Sequence, residues 1–446
     1  MFDRGKLSGM TGLSIIWLGQ FASMIGTGMT RFALTIWAYE LTGQATALAL
    51  VGFFSFAPVV LFSPLAGVIV DRVPRKLVMI VSDLAAGLST VAVLILHLTG
   101  HLQIWHLFVT GFFAGAFESF QFPAYSAAIT LMMEKKHYTR ANAMVGMAGS
   151  ASGIISPALA GLFFALIGIN GIMAIDVATF LFAIGALLLA LIPEPKAKPT
   201  GLLRSSLWRE SWFGFQYIFR SPSLLGLQLT FFAINLITVF GFTVLAPMIL
   251  ARTGNNEIIF GTVRMMFGIG GVVGGAIISA WGGPKRKVHG VLLGMILSSL
   301  LGTITLGIGR GVVAWSIGAF FTMAMMPLIN GSNQSIWQAK VAPEIQGKVF
   351  ATRRLIAQIS APIAMLAAGP LADRVFEPLM QSGRPATEIL SRLVGTGPGA
   401  GMGMMFVIAG VIGATVGLAG YLFPAVRNAE SILLDHDSVH GSEASG

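Results

Sequence analysis

Charged side chains are rare in the long apolar runs of this sequence, and those that occur there are of types that bind protons, ions or a charged cargo. Glu118 stands near the middle of one run and Arg31 in another. A carboxyl group deprived of bulk water can exchange a proton near neutrality. Glu118 is therefore a candidate for proton coupling or for direct recognition of a cationic cargo. A guanidinium among apolar residues needs a partner, and the long side chain of Arg31 can reach Glu118. A structural pair and a coupling group are compatible, because a proton on Glu118 would break the pair. A second constellation is GVIVDRVPRK at Gly67–Lys76, which sets Asp71, Arg72, Arg75 and Lys76 between two apolar runs. Asp83, about two helical turns into the next run, is the expected partner of this cluster. Trp281–Lys287, WGGPKRK, is a weaker echo carrying Lys285, Arg286 and Lys287. Gln20, in the same run as Arg31, and Asn235 and Asn330, in two later runs, offer hydrogen bonds either to a cargo or between helices.

Catalytic chemistry has little support. GTGPGAG at 395–401 lacks the Lys-Ser/Thr that completes a phosphate loop. No His-rich metal cluster is present, and with no cysteine among 446 residues thiolate sites and disulfides are excluded. No cofactor is expected, and a membrane-embedded enzyme is a distant alternative.

The elements that position these residues follow from composition. Apolar residues make up 55% of the chain and charged residues 10%, against about a quarter charged in soluble domains. Mean hydropathy is +0.81. The basic balance is explained by membrane topology rather than by nucleic acid, which is not an expected partner. A bilayer-crossing helix needs about 20 apolar residues, and twelve such spans are read at roughly 14–38, 46–70, 77–98, 104–130, 142–167, 172–192, 223–250, 259–281, 289–309, 313–338, 348–371 and 401–424. The first run is too long for a cleavable signal peptide.

Lys and Arg gather in one alternate set of loops; the other holds only Arg252, Arg310, Arg374, Arg384 and Arg392. By the positive-inside rule both termini and both basic loops should face the cytoplasm. The expected organisation is a six-helix bundle over 1–192, a cytoplasmic linker over 193–222, a second bundle over 223–424 and a disordered tail over 425–446. In the linker, Trp208, Trp212, Phe215 and Phe219 fall on one helical face, which suits a helix lying in the membrane interface. The outside segment at about 373–400 is read as a short helix or a lid. Asp176 and Arg264, near the outer ends of their runs, are expected within reach of water.

GVIVDRVPRK matches, at every fixed position, the G-x-x-x-D-R-x-x-R-K element of the major facilitator superfamily, and with twelve spans and the echoed loop the chain resembles that superfamily over nearly its whole length. The segments GTGMTRFALTIWAYELTG, FQFPA, WGGPKRK, PLADRVFEP and GTGPGAG resemble the branch of macrolide-efflux and enterobactin-exporter-type proteins. The resemblance implies an all-α membrane protein of two pseudo-symmetric six-helix bundles in a bacterial inner membrane, acting as a monomer. It implies that Gly67 permits close helix approach and that Asp71 meets the N-terminus of the eleventh helix, making the cluster a gate. It places Glu118 near a central substrate path. Gly153, Pro157 and Gly161 resemble, in degraded form, the G-x-x-x-G-P-x-x-G-G element of proton-coupled exporters and are expected to give helix packing and a kink. The fourth span lacks the arginine of many drug/proton antiporters, so their relay does not transfer. Together these features predict export of a small amphipathic molecule, such as a drug, siderophore or secondary metabolite, driven by protons. An importer or a lysolipid-type carrier of the same superfamily is the alternative.

Overall fold

In lipid every backbone N–H and C=O must be satisfied within the chain, so long apolar runs become long helices. The computed structural model, which describes residues 9–133, 138–193, 207–381 and 385–433, follows this rule. Its helices are α1 (Gly9–Thr42), α2 (Ala45–Arg72), α3 (Arg75–Leu98), α4 (Ile104–Met132), α5 (Tyr138–Leu189), α6 (Leu207–Arg220), α7 (Pro222–Thr253), α8 (Glu257–Trp281), α9 (Lys287–Leu297), α10 (Thr305–Ile308), α11 (Val312–Ala324), α12 (Met326–Lys340), α13 (Pro343–Leu371), α14 (Glu377–Gln381), α15 (Pro385–Val394), α16 (Ala400–Leu422), α17 (Pro424–Arg427) and α18 (Ala429–Ile432). No strand occurs among the described residues.

Nine helical stretches among the described residues are long and apolar enough to cross a membrane. One of them, Met144–Leu189, houses two expected spans, divided at Gly168. Two further expected spans lie in α1 and α4, where Gln20, Arg31, Glu118 and Gln121 dilute the apolar character. The run Lys287–Ile308 is continued between α9 and α10 by a π-helical stretch, Ser298–Ile304.

Contacts divide the chain into two compact units. The first comprises Met1–Thr200 with Ile249–Met265, the second Gly201–Met248 with Met266–Gly446. The corner between α7 and α8 therefore groups with the first unit, across the expected boundary. Its attachment is tight: Phe260 stacks on Phe32 with centroids 4.7 Å apart, and a Cβ added to Gly161 would lie 3.1 Å from the Glu257 carbonyl oxygen.

In the first unit α1 runs along α5, α2 along α4, and α3 against both α4 and α5. Small residues on α1 make this possible. A Cβ on Gly19 would lie 2.7 Å from Ala186 Cβ, one on Gly26 would overlap Thr179, and one on Gly28 would lie 2.6 Å from Ser156 Oγ. The expected packing element on α5 is thus partly corrected. Gly161 and Pro157 meet α8, whereas Gly153 faces open space with nothing within 4 Å. The bend comes at Gly168, whose φ of 66° and ψ of −176° are closed to other residues.

In the second unit α9 packs on α12 and α16, and α6 on α13. Gly214 and Ile218 turn α6 toward the protein, while Phe213 and Phe219 are exposed. Phe215 and Phe219 stack with ring centroids 6.5 Å apart; the side chains of Trp208 and Trp212 lie outside the described residues. After α13 the described residues continue through a π-helical turn, Ala372–Phe376, into α14, and α15 follows. Met380, Val394, Ala400, Met404 and Val407 form one cluster there, and Arg310 Nη2 donates to the Arg392 carbonyl oxygen at 2.7 Å. The expectation of a disordered tail is corrected as far as Leu433, because α17 and α18 occupy its beginning; 434–446 lie outside the described residues.

Candidate functional site

Arg31 and Glu118 meet, as their residue types require. Arg31 Nη2 donates to Glu118 Oε2 at 2.6 Å, with side-chain exposures of 60% and 49%. The pair lies on an open face of the first unit, between α1 and α4. Two half-exposed charges at mid-span are tolerable only where that face is wet, since lipid solvates neither. Arg31 sits one turn beyond Thr27 on α1, and Thr27 Oγ1 donates to Asp176 Oδ1 at 3.1 Å. Thr90 Oγ1 donates to Asp176 Oδ2 at 3.0 Å. Asp176 is thus enclosed, with 2% exposure, and not within reach of water as expected. Threonine hydroxyls from α1 and α3 replace the water, and Gly26 leaves the space for the carboxylate.

Asp83 also departs from expectation. Its oxygens accept from Gln20 Nε2 at 2.7 Å and Gln121 Nε2 at 2.9 Å, and Gln121 Nε2 also donates to Gln20 Oε1 at 3.0 Å. The three side chains close a triangle among α1, α3 and α4. Asp83 points into the bundle and not toward the motif loop because the α3 face that carries it packs on those helices. Gln20 is correspondingly an interhelical tie and not a cavity group. Asn235 Nδ2 turns back to the Phe231 carbonyl oxygen of its own helix at 2.7 Å. Asn330 is exposed.

Of the motif cluster, Gly67, Asp71 and Arg72 lie in the last turns of α2 with side chains outside the described residues. Arg75 begins α3. Lys76 Nζ donates to the carbonyl oxygens of Leu188 and Ala190, at 3.0 and 2.8 Å, so it neutralises the open C-terminal carbonyls of α5. In the echoed loop Lys285 and Arg286 are exposed, and Lys287 Nζ donates to the Gly282 carbonyl oxygen at 3.0 Å.

Sequence reasoning missed the acid that organises this second loop. Both Glu430 oxygens accept from the first backbone N–H groups of α9, those of Lys287 at 3.0 Å and Val288 at 2.9 Å. Lys340 Nζ in turn donates to the carbonyl oxygens of Glu430 and Leu433, at 2.5 and 2.6 Å. Glu377 does the same for α16, accepting from Met402 N at 2.9 Å and Gly399 N at 3.2 Å. No local sequence signal announces either cap, because the acid comes from a distant segment. Gln121 did have a signal: it follows Glu118 by three positions on one face of α4. Among the described residues no group of His, Cys, Asp and Glu could hold a metal ion.

A family model described as Major Facilitator Superfamily matches residues 16–365. Macrolide efflux protein A of Streptococcus pyogenes is 25% identical over 363 residues, covering 81% of this chain and 89% of that protein. Enterobactin exporter EntS of Shigella flexneri is 23% identical over 213 residues, covering 48% of this chain and 51% of that protein. Among solved structures, a bacterial homologue of the human lysosomal transporter Spinster aligns with a TM-score of 0.63 at 15% identity, covering 92% of this chain and 97% of that one.

Proposed function

We propose that this chain, which belongs to the Major Facilitator Superfamily, is a proton-driven exporter of a small amphipathic molecule. As a family member it is a membrane transporter and not an enzyme; direction, driving ion and cargo are the substance of the proposal. Efflux-named relatives support the outward direction. The observation that carries the coupling is the Arg31–Glu118 pair, 2.6 Å apart and half-exposed on the first unit.

The mechanism follows from charge. With Glu118 ionised the pair is neutral as a whole and Arg31 is held. A proton from outside that binds Glu118 removes the attraction and frees the guanidinium. A cargo bearing a protonated amine competes with Arg31 for the ionised carboxylate, so proton and cargo bind Glu118 alternately, as antiport by alternating access requires. Relatives named for macrolides make an amine-bearing macrolide the first cargo to try. The loop cluster of Gly67, Asp71, Arg72, Arg75 and Lys76 is the inner gate, and Lys285, Arg286 and Lys287 fix the echoed loop at the same membrane face. The protein works as a monomer in a bacterial inner membrane, with both termini in the cytoplasm.

The test is accumulation of radiolabelled erythromycin in cells with and without the protein, repeated with a protonophore. Lower accumulation that the protonophore restores supports the reading; higher accumulation on expression would mean import.

A further inference from the structure

Asp83 is a buried acid without a countercharge. It retains 9% of its exposure, and among the described residues no lysine, arginine or histidine bonds to it. Asp176, the other acid of this unit that is buried among the described residues, has Arg31 one turn beyond its Thr27 donor. A carboxylate taken out of water without a cation beside it must be neutralised, and a proton is the smallest group that does so.

The surroundings are built for such exchange. Three polar atoms within a turn of the triangle are buried with no hydrogen-bond partner: Gln121 Oε1, Tyr125 Oη and Ser82 Oγ. Tyr125 follows Gln121 by one turn of α4, and Ser82 precedes Asp83. Gln121 therefore spends its amide nitrogen on the carboxylate while its amide oxygen is unused. When Asp83 gains a proton it becomes a donor, and a rotation of the Gln121 amide presents that unused oxygen to it. One O–H bond forms with a proton taken from hydronium, which is left as water; the carboxylate charge disappears, and the hydrogen bonds from Gln121 Nε2 to Asp83 Oδ1 and Gln20 Oε1 are exchanged for one from the Asp83 hydroxyl to Gln121 Oε1. Around the triangle α1 contributes Gln20, and α4 contributes Gln121 with a titratable side chain one turn to either side of it, Glu118 and Tyr125. The adjoining core residues Ile16, Met79, Ala124 and Leu187 are apolar.

We propose that Asp83, clasped by the side-chain amides of Gln20 and Gln121, is a second proton-binding site, lying between the Arg31–Glu118 pair and the Val73–Pro74 loop. Gln20 precedes Arg31 on α1 and Gln121 follows Glu118 on α4, so the two sites are consecutive stations along one bundle. By the charge distribution the Asp83 station is the one nearer the cytoplasm. Its part in transport rests on the proton-driven reading above; its binding of a proton does not.

The test is pH-titrated infrared difference spectroscopy on the whole purified chain, read at the carboxylic-acid C=O band. A component present in wild type and missing from Asp83→Asn is expected. Gln121→Leu should retain that component with a shifted frequency and titration midpoint, which a merely structural acid would not give. Glu118→Gln should leave it in place, so loss of coupling through Glu118 and loss of this site are separately visible. Identical titrations of wild type and Asp83→Asn, or an unshifted component in Gln121→Leu, would overturn the proposal. So would a component that responds to sodium at fixed pH and not to pH itself.

Discussion

Arg31 and Glu118 are held apart from the rest of the apolar bundle by one contact of 2.6 Å. Truncating Arg31 leaves Glu118 without its cation, and truncating Glu118 leaves Arg31 only the more distant Asp176. Arg31→Ala is expected to abolish uphill transport, and Arg31→Lys to restore part of it, because an ammonium keeps the charge without the planar fork; transport in proteoliposomes checks both. The acid caps act on stability instead. Glu430→Ala removes the acceptor for two backbone N–H groups at the start of α9 and should cost about 1–2 kcal/mol, as losing an N-cap does, read as a lowered apparent Tm in detergent. At this scale the sequence disclosed the groups that are costly anywhere in a membrane. Arg31 and Glu118 could be paired from cost alone. Asp83 was visible for the same reason, but its partners were not, because an amide is cheap enough to sit anywhere and gives no warning. Glu430 lay beyond reach altogether, since nothing in AESI says which distant helix end it will meet.

Helix contacts in the first unit depend on missing side chains. Gly26 faces the Asp176 and Thr179 segment so closely that an added Cβ would lie 3.0 Å from the Asp176 Cα. Gly26→Val should therefore overpack α1 against α5 and cost about 1–3 kcal/mol, with the Thr27–Asp176 hydrogen bond as the local casualty. Gly168→Ala should cost a similar amount, about 1–3 kcal/mol, from backbone strain at φ 66°; thermal unfolding of both variants against wild type checks the pair. The spans themselves were legible because twenty apolar residues have few alternatives to a helix. The contact partners of α5 were not. Gly153, Pro157 and Gly161 share a spacing, yet only the last two meet α8, and sequence spacing does not say which side of a helix has a neighbour. The π-helical Ser298–Ile304 likewise gave no signal in an apolar run.

For the whole molecule, composition disclosed the all-helical membrane architecture, since it acts through the bilayer and not through particular contacts. The grouping of Ile249–Met265 with the first compact unit was not legible, because it rests on Phe32 meeting Phe260 and Gly161 meeting Gly261, which no periodicity encodes. Orientation is testable directly in a cysteine-free chain. Lys285→Cys should be labelled by an impermeant maleimide only from the cytoplasmic side, and Ser391→Cys only from outside; the reverse pattern would invert the topology. In the proposed cycle, proton binding at Glu118 drives export. The most direct measurement is erythromycin transport in proteoliposomes under an imposed pH gradient, comparing wild type with Glu118→Gln. The expected result is uphill transport by wild type alone, with erythromycin exchange at equal pH retained by the variant. Undiminished proton-driven transport by Glu118→Gln would contradict it.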